Sequence, residues 1–462
     1  MTPVFDPWQF SVVASDVLSV GYATPSAILA RQQRRLAHVM ALAQCRSRLY
    51  RERLRGLTPG QTPLQALPVV TRGELMQRFD DWVTDPQLKL DELRAFMADA
   101  GRVAEPYLGR YMVWESSGTS AQPGLFVQDA QAMAVYDALE TLRRHAPRPL
   151  RRWVDPWCVG ERIAFVGATN GHFASYVSVQ RLRQINPWMA QAMQSFSILQ
   201  SAEALVAGLN AFWPTVIACY PTVASLLAEQ ARSGALRVRP REVWTGGENL
   251  SPAVRQSVTQ AWDCSLRNSY GASEFLSIAW ECRQGCLHAN ADWVILEPVD
   301  EQRRPVPAGQ TPCTTLLTHL AQTVQPLLRY DLGDQVTVHA ERCACGSPLP
   351  VIEVQGRGDA PLVMAGRGGR KVTLLPLALT TVLEDQAGVF DFQLRQRDAH
   401  TLVLRLDLQG GDAAAAMARC RAALSGFAEV LGLQPIRVIE ELGQVPRGRS
   451  GKVCRVLAAE AA

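Results

Sequence analysis

Residues 216–271 repeat one local pattern three times, and that repetition limits the fold more than any other feature of the chain. VIACY, with its core at 217–220, runs into Pro221 and the apolar-periodic TVASLLAEQARSG, which reads as strand, turn and helix. EVWTGG leads to a helix start at Ser251-Pro252, and SLRNSYG supplies a third strand-like run. Repeated units of this kind build an α/β fold around a mostly parallel sheet, with binding sites at the strand ends. From about 390 the texture changes. DFQLRQRD and HTLVLRLDL alternate like strands, a Gly-Gly turn follows, and then come an Ala-rich helix over 412–431 and the strand PIRVIEE. These elements suffice for a small α+β unit, and the Gly- and Arg-rich stretch at 356–370 is its expected boundary.

Composition narrows the function classes. With 462 residues, 47% hydrophobic and 19% charged, the chain reads as a soluble globular protein of more than one domain. The net charge of +4 is spread along the sequence without a basic arm, which speaks against nucleic acid as a partner. The apolar N-terminal stretch lacks a cationic start and is broken by Asp16, and no segment reaches the ~18 apolar residues of a membrane span. A cytoplasmic location without membrane association is expected. The eleven cysteines then read as thiols or metal ligands rather than a disulfide framework.

EPYLGRYMVWESSGTSAQPG places Ser116, Ser117, Gly118, Thr119 and Ser120 after a strand-like run. Hydroxyls and glycine-exposed amides both donate to anionic oxygens, so such a loop suits a polyphosphate. No lysine follows, so it is not a G-x-x-x-x-G-K-[ST] loop, and alone it reads equally well as a Ser-rich turn. Further motifs follow in order: WTGGEN (244–249), SYGASE (269–274), RYDLGD (329–334), GRGD (356–359) and PRGRSGK (446–452).

This series resembles the adenylate-forming superfamily, and within it the phenylacetate-CoA ligase-like branch of AMP-dependent synthetases and ligases. LYRERLRG, LPVVTRGELMQRFDDWVTDP and ACYPTVASLLAE fit the same branch, so the resemblance covers nearly the whole chain. It implies a large N-terminal adenylate-forming domain over 1–356, with parallel sheets and helices, and a small mobile α+β C-terminal domain over 357–462. It also implies use of ATP, Mg²⁺ and coenzyme A. By the resemblance, Tyr270 lies against the adenine and Gly271 belongs to the same nucleotide site, Gly246, Gly247 and Glu248 line the nucleotide's other side, and Glu274 holds Mg²⁺, a hard cation that prefers carboxylate oxygen. Asp334 would meet the ribose hydroxyls and Arg357 would help fix the nucleotide. Ordinary loop carboxylates and a core tyrosine remain the alternatives at these positions.

Lys452 stands out because only three of the 47 basic residues are lysine. A compact ammonium on a long stem reaches a carboxylate and a phosphate together, where a guanidinium makes a different fork of contacts. The PRGRSGK loop is similar to the superfamily's catalytic loop, which implies that Lys452 serves adenylation; a solvated C-terminal lysine is the alternative. Asp359 matches the superfamily's hinge, although Ala360 stands where a second acidic residue is commoner. The face around Gly368, Gly369 and Arg370 would serve the thiol-transfer step.

ECRQGCLH and RCACG offer Cys282, Cys286, His288, Cys343 and Cys345, and a set of four thiolate or imidazole donors is what tetrahedral Zn²⁺ selects. The resemblance favours Cys282, His288, Cys343 and Cys345 as a structural site, with Cys286 as a spare; buried thiols beside an incidental histidine are the alternative. By family geometry His172, Phe173, Trp244 and Phe275 are wall candidates for the acid pocket. The expected function is ATP-dependent activation of an aryl or acyl carboxylic acid to acyl-AMP, with pyrophosphate release, followed by transfer to coenzyme A. A carrier protein or an amine as acceptor, a non-catalytic nucleotide-binding role and a homodimeric state stay open.

Overall fold

Val216–Cys219, Glu242–Thr245 and Ser265–Ala272 are the three strands marked by the repeat, and they pair in parallel. Ile163–Gly167 and Met193–Ser197 extend the same parallel run to five strands. Alternation decides the faces. Ala164, Val166, Ile217, Cys219, Val243 and Leu266 pack with Leu209, Val223, Leu227 and Val258 of the crossover helices in one apolar cluster. Those helices start where the sequence says they should: Pro221 occupies the first turn of Pro221–Arg232, and the Ser251 hydroxyl accepts from the Val254 amide at 3.2 Å ahead of Pro252–Ala261. The computed structural model describes residues 4–116, 123–143, 160–355, 361–389, 392–406, 413–441, 443, 445–446 and 454–458.

Beyond Ser265–Ala272 the sheet continues as four antiparallel strands, in the order Phe275–Glu281, Leu287–Ala289, Val351–Gln355 and Gln335–Val338. The junction contains a register shift between Tyr270 and Ala272. Gly271 makes it possible, because a Cβ there would sit 1.9 Å from the Leu276 carbonyl oxygen. Gly271→Ala should therefore destabilise the protein by about 1–3 kcal/mol, the range for forced overpacking. Chemical denaturation checks this, and an unshifted midpoint would contradict it.

The N-terminal hundred residues are largely helical, and Val39, Met40, Leu49, Tyr50, Phe79 and Trp82 share a core with the hairpin Met112–Glu115/Leu125–Gln128 and helix Ala130–Arg143. A three-stranded antiparallel sheet, Val294–Val299, Thr314–His319 and Tyr330–Asp331, lies beside it, and Val70 bridges to Tyr330. That bridge brings the start of helix Arg72–Gln77 to the site described below.

In the C-terminal region the expected strands are Phe392–Gln396, Thr401–Leu406 and Arg437–Glu441, with the Ala-rich helix at Ala413–Val430. A short strand the pattern did not mark, Val456–Leu457, completes their four-stranded sheet. Leu362, Leu379, Phe392 and Leu424 belong to the same apolar cluster as the parallel sheet. Among the described residues no helix is long and apolar enough to cross a membrane.

Candidate active site and thiol-imidazole cluster

A cavity of about 1340 Å³ takes in the carboxyl ends of the parallel strands, where Tyr220, Gly246, Gly247, Glu248, Tyr270, Gly271, Glu274 and Asp334 meet. Each is placed by its own local device. Gly247 has φ +78°, and a Cβ there would lie 2.9 Å from the Tyr220 ring. The Glu248 carboxylate accepts from the Thr222 amide and hydroxyl, both at 3.1 Å, and so caps helix Pro221–Arg232. The Tyr270 hydroxyl donates to Asp334 Oδ2 at 2.8 Å, joining SYGASE to RYDLGD across the chain. An aromatic ring and a carboxylate stand side by side.

Ser116 reaches the cavity but is committed to its hairpin, its hydroxyl accepting from the Gly124 amide at 2.8 Å. Ser117, Gly118, Thr119 and Ser120 lie outside the described residues, as do Arg357, Asp359 and Lys452. Arg455, three positions after Lys452, lines the cavity and forms a buried ion pair with Glu384.

Glu274 is buried. Its Oε1 accepts from the Tyr330 hydroxyl at 2.6 Å, and Arg72 Nη2 lies 3.5 Å from the same oxygen. Arg72 Nε in turn donates to the Tyr330 oxygen at 3.3 Å. Sequence reasoning missed Arg72 and Tyr330 as site residues. Both fall inside quoted motifs, but only the Val70–Tyr330 bridge reveals that the two segments meet.

Two wall candidates face elsewhere. His172 is 1% exposed and sits in the core, its Nε2 3.2 Å from the Asp99 carbonyl oxygen and its ring 5.8 Å from Phe96; burial lowers its pKa. Phe275 is wholly buried, with ring centroids at 5.3 Å from Tyr136 and 4.5 Å from His319. Phe173 and Trp244 do line the cavity, and the Trp244 indole donates to Glu242 at 2.7 Å.

A carboxyl group also borders this end. Burial first, and the nearby Asp385 second, push the Glu115 carboxyl from 4.5 up to about 7. Asp385, which accepts from the Asn170 amide, is pushed by burial up to about 6. An acid whose folded-state pKa is raised loses stability as it ionises, so Glu115 makes stability fall from pH 4.5 to about 7 and level off above. Glu115→Gln should flatten that fall in a plot of thermal midpoint against pH; an unchanged slope would contradict the assignment.

The second cluster is formed by Cys282, His288, Cys343 and Cys345, whose ligand atoms all lie within 4.8 Å of one another. Cys282 Sγ and Cys343 Sγ are 3.7 Å apart, and Cys345 Sγ is 3.3 Å from His288 Nε2. A tetrahedron with Zn–S bonds of ~2.3 Å has edges of roughly 3.7 Å, which the Cys282–Cys343 separation matches. His288 Nδ1 donates to the Leu349 carbonyl at 2.9 Å, which turns Nε2 inward, and Trp280 stacks on the ring at 5.3 Å. The Cys345 amide, donating to the Cys343 sulfur at 3.5 Å, is the main cause that holds the Cys343 thiol down to about 6. Cys286 stands outside the four, its carbonyl accepting from the Cys282 amide at 2.9 Å.

No family model matches the sequence. Over 184 residues, 37% of this chain and 39% of the relative, it is 32% identical to the phenylacetate-coenzyme A ligase of Thermus thermophilus. Over 135 residues, 29% of this chain and 28% of the relative, it is 26% identical to protein CapK of Staphylococcus aureus. These matches span well under half the length of either relative. Among solved structures, a 2-hydroxyisobutyryl-CoA ligase determined with 2-HIB-AMP and CoA superposes with a TM-score of 0.57 at 21% identity, covering 94% of this chain and 89% of that one. The chain therefore shares the fold of that CoA ligase. Over part of its length the sequence is similar to a phenylacetate-coenzyme A ligase.

Proposed function

We propose that the protein activates a carboxylic acid, aryl or acyl, with ATP and passes the acyl group to coenzyme A. The observation that carries this reading is the convergence of Gly246, Gly247, Tyr270, Glu274 and Asp334 in one cavity, with the Tyr270 hydroxyl held on Asp334. In the first half-reaction the acid's carboxylate oxygen bonds to the α-phosphorus and pyrophosphate leaves. In the second the coenzyme A sulfur bonds to the acyl carbon and AMP leaves. The protein's part is to position the partners and offset the developing charge.

Tyr270 and Gly271 would receive the adenine, Asp334 and Arg357 the ribose and its phosphate, and Ser117, Gly118, Thr119 and Ser120 the phosphate chain. Glu274 supplies a carboxylate for Mg²⁺, which when bound would neutralise phosphate oxygens. Lys452 would face the α-phosphate. Residues 357–462 would move as a domain about Asp359 between the two steps, offering Lys452 first and the face of Gly368, Gly369 and Arg370 second. Arg370 here pairs with Glu203 of helix Ala202–Phe212. Phe173 and Trp244 remain the proposed acid-pocket walls. Zinc at Cys282, His288, Cys343 and Cys345 would cross-link the antiparallel half of the sheet, its four protein ligands leaving no position for substrate.

The test is AMP release with coenzyme A across a panel of aryl and acyl acids. The reading predicts stoichiometric thioester and AMP for one acid class. Adenylate formed without thioester would reject coenzyme A as acceptor.

A further inference from the structure

Even with Lys452 and Arg357 at the nucleotide as proposed above, the charge around Glu274 stays negative unless another cation takes part. ATP carries about four negative charges against two on its magnesium, and Glu274 and Asp334 add carboxylates on the protein side. Three basic side chains line the cavity among the described residues: Arg72, Arg241 and Arg455. Arg241 stands at the amino end of Glu242–Thr245, away from Gly246, with Nη1 3.5 Å from Glu161 Oε1. Arg455 is buried on Glu384. Arg72 is the one at the Glu274 end.

Its contacts suit exchange rather than a fixed brace. Glu274 and Tyr330 are 4% exposed as a side chain and 1% as a residue, whereas the Arg72 side chain keeps 20% exposure and borders the cavity. Both contacts to Glu274 engage Oε1, and Oε2 takes part in neither. Burial opposes the Arg72 charge, yet Tyr330, Glu274 and Asp334 together hold its pKa raised. A planar guanidinium of this kind makes two parallel hydrogen bonds to a phosphate.

Resting on the nucleotide reading above, we infer that Arg72 is a second cation for the triphosphate, held on Glu274 and Tyr330 in this structure and passed to the β- and γ-phosphates when MgATP binds. Glu274 then exchanges one positive partner, the guanidinium, for another, the magnesium ion. The carboxylate is never left buried and unpaired, an arrangement that would otherwise be strongly unfavourable.

Calorimetric titration of the whole protein with MgATP and with AMP separates the possibilities, using wild type, Arg72→Gln and Arg72→Lys. Loss of charged hydrogen bonds should weaken MgATP binding by about 10- to 100-fold in Arg72→Gln. AMP, which lacks the outer phosphates, should change by less than about twofold, and Arg72→Lys should recover part of the ATP loss. Thermal midpoints identify a glutamine variant that folds poorly, in which case the lysine variant carries the comparison. Equal losses for ATP and AMP would make Arg72 a structural support of Glu274 and overturn the inference, as would unchanged ATP affinity. Wild-type protein that binds neither ligand would overturn the nucleotide reading itself.

Discussion

Lys452→Ala is expected to slow acid-dependent adenylate formation by at least about 10²–10³-fold, the range for losing one group aimed at developing transition-state charge. Transfer from a supplied acyl-adenylate to coenzyme A should continue near the wild-type rate. The asymmetry follows from the chemistry. Pyrophosphate departs only in the first half-reaction, and the proposed domain movement would carry Lys452 away before AMP leaves in the second, so a cation on this loop serves the first step. Arg455 shows that the segment following the PRGRSGK loop reaches the cavity. Lys452→Arg should not restore adenylation, because a guanidinium fork cannot reproduce the contacts of a compact ammonium. Equal loss of both half-reactions would make Lys452 structural.

Removing metal from the thiol-imidazole cluster, or replacing Cys343 by serine, should have the largest effect on stability. A metal held there would tie Cys282 and His288 to Cys343 and Cys345 across a sequence gap of more than fifty residues, through strands of only three to seven residues. Loss of such a cross-link should cost about 2–5 kcal/mol, the range for a native covalent bridge. Nucleotide affinity should change little, since none of the four ligands lines the cavity. Elemental analysis should find one zinc per chain. Purified protein without zinc would reject the site, and a metal-free protein of unchanged thermal midpoint would reject its structural role.

What was legible in the sequence was whatever local pattern governs. The strands around 216–271 announced themselves because apolar runs stop at Pro221 or Ser251-Pro252. Phe392–Gln396 and Thr401–Leu406 did so by alternation. The cysteine and histidine set was legible because thiol and imidazole donors are rare in a sequence, and the structure brings the favoured four together. The antiparallel strands after Ser265–Ala272 were not, since segments as short as Leu287–Ala289 carry no periodicity. His172 and Phe275 show a different limit. A motif fixes where the backbone passes, but packing against Phe96, Tyr136 and His319 decides which way a side chain points. Arg72 shows a third, because its partners are about 200 or more residues away and meet it only through tertiary bridging.

Adenylation is read out by acid-dependent exchange of labelled pyrophosphate into ATP. Exchange is expected with one class of aryl or acyl acid, independent of coenzyme A, and is expected to be lost in Lys452→Ala. Exchange absent with every acid in a broad panel, from protein shown by calorimetry to bind ATP, would contradict adenylation.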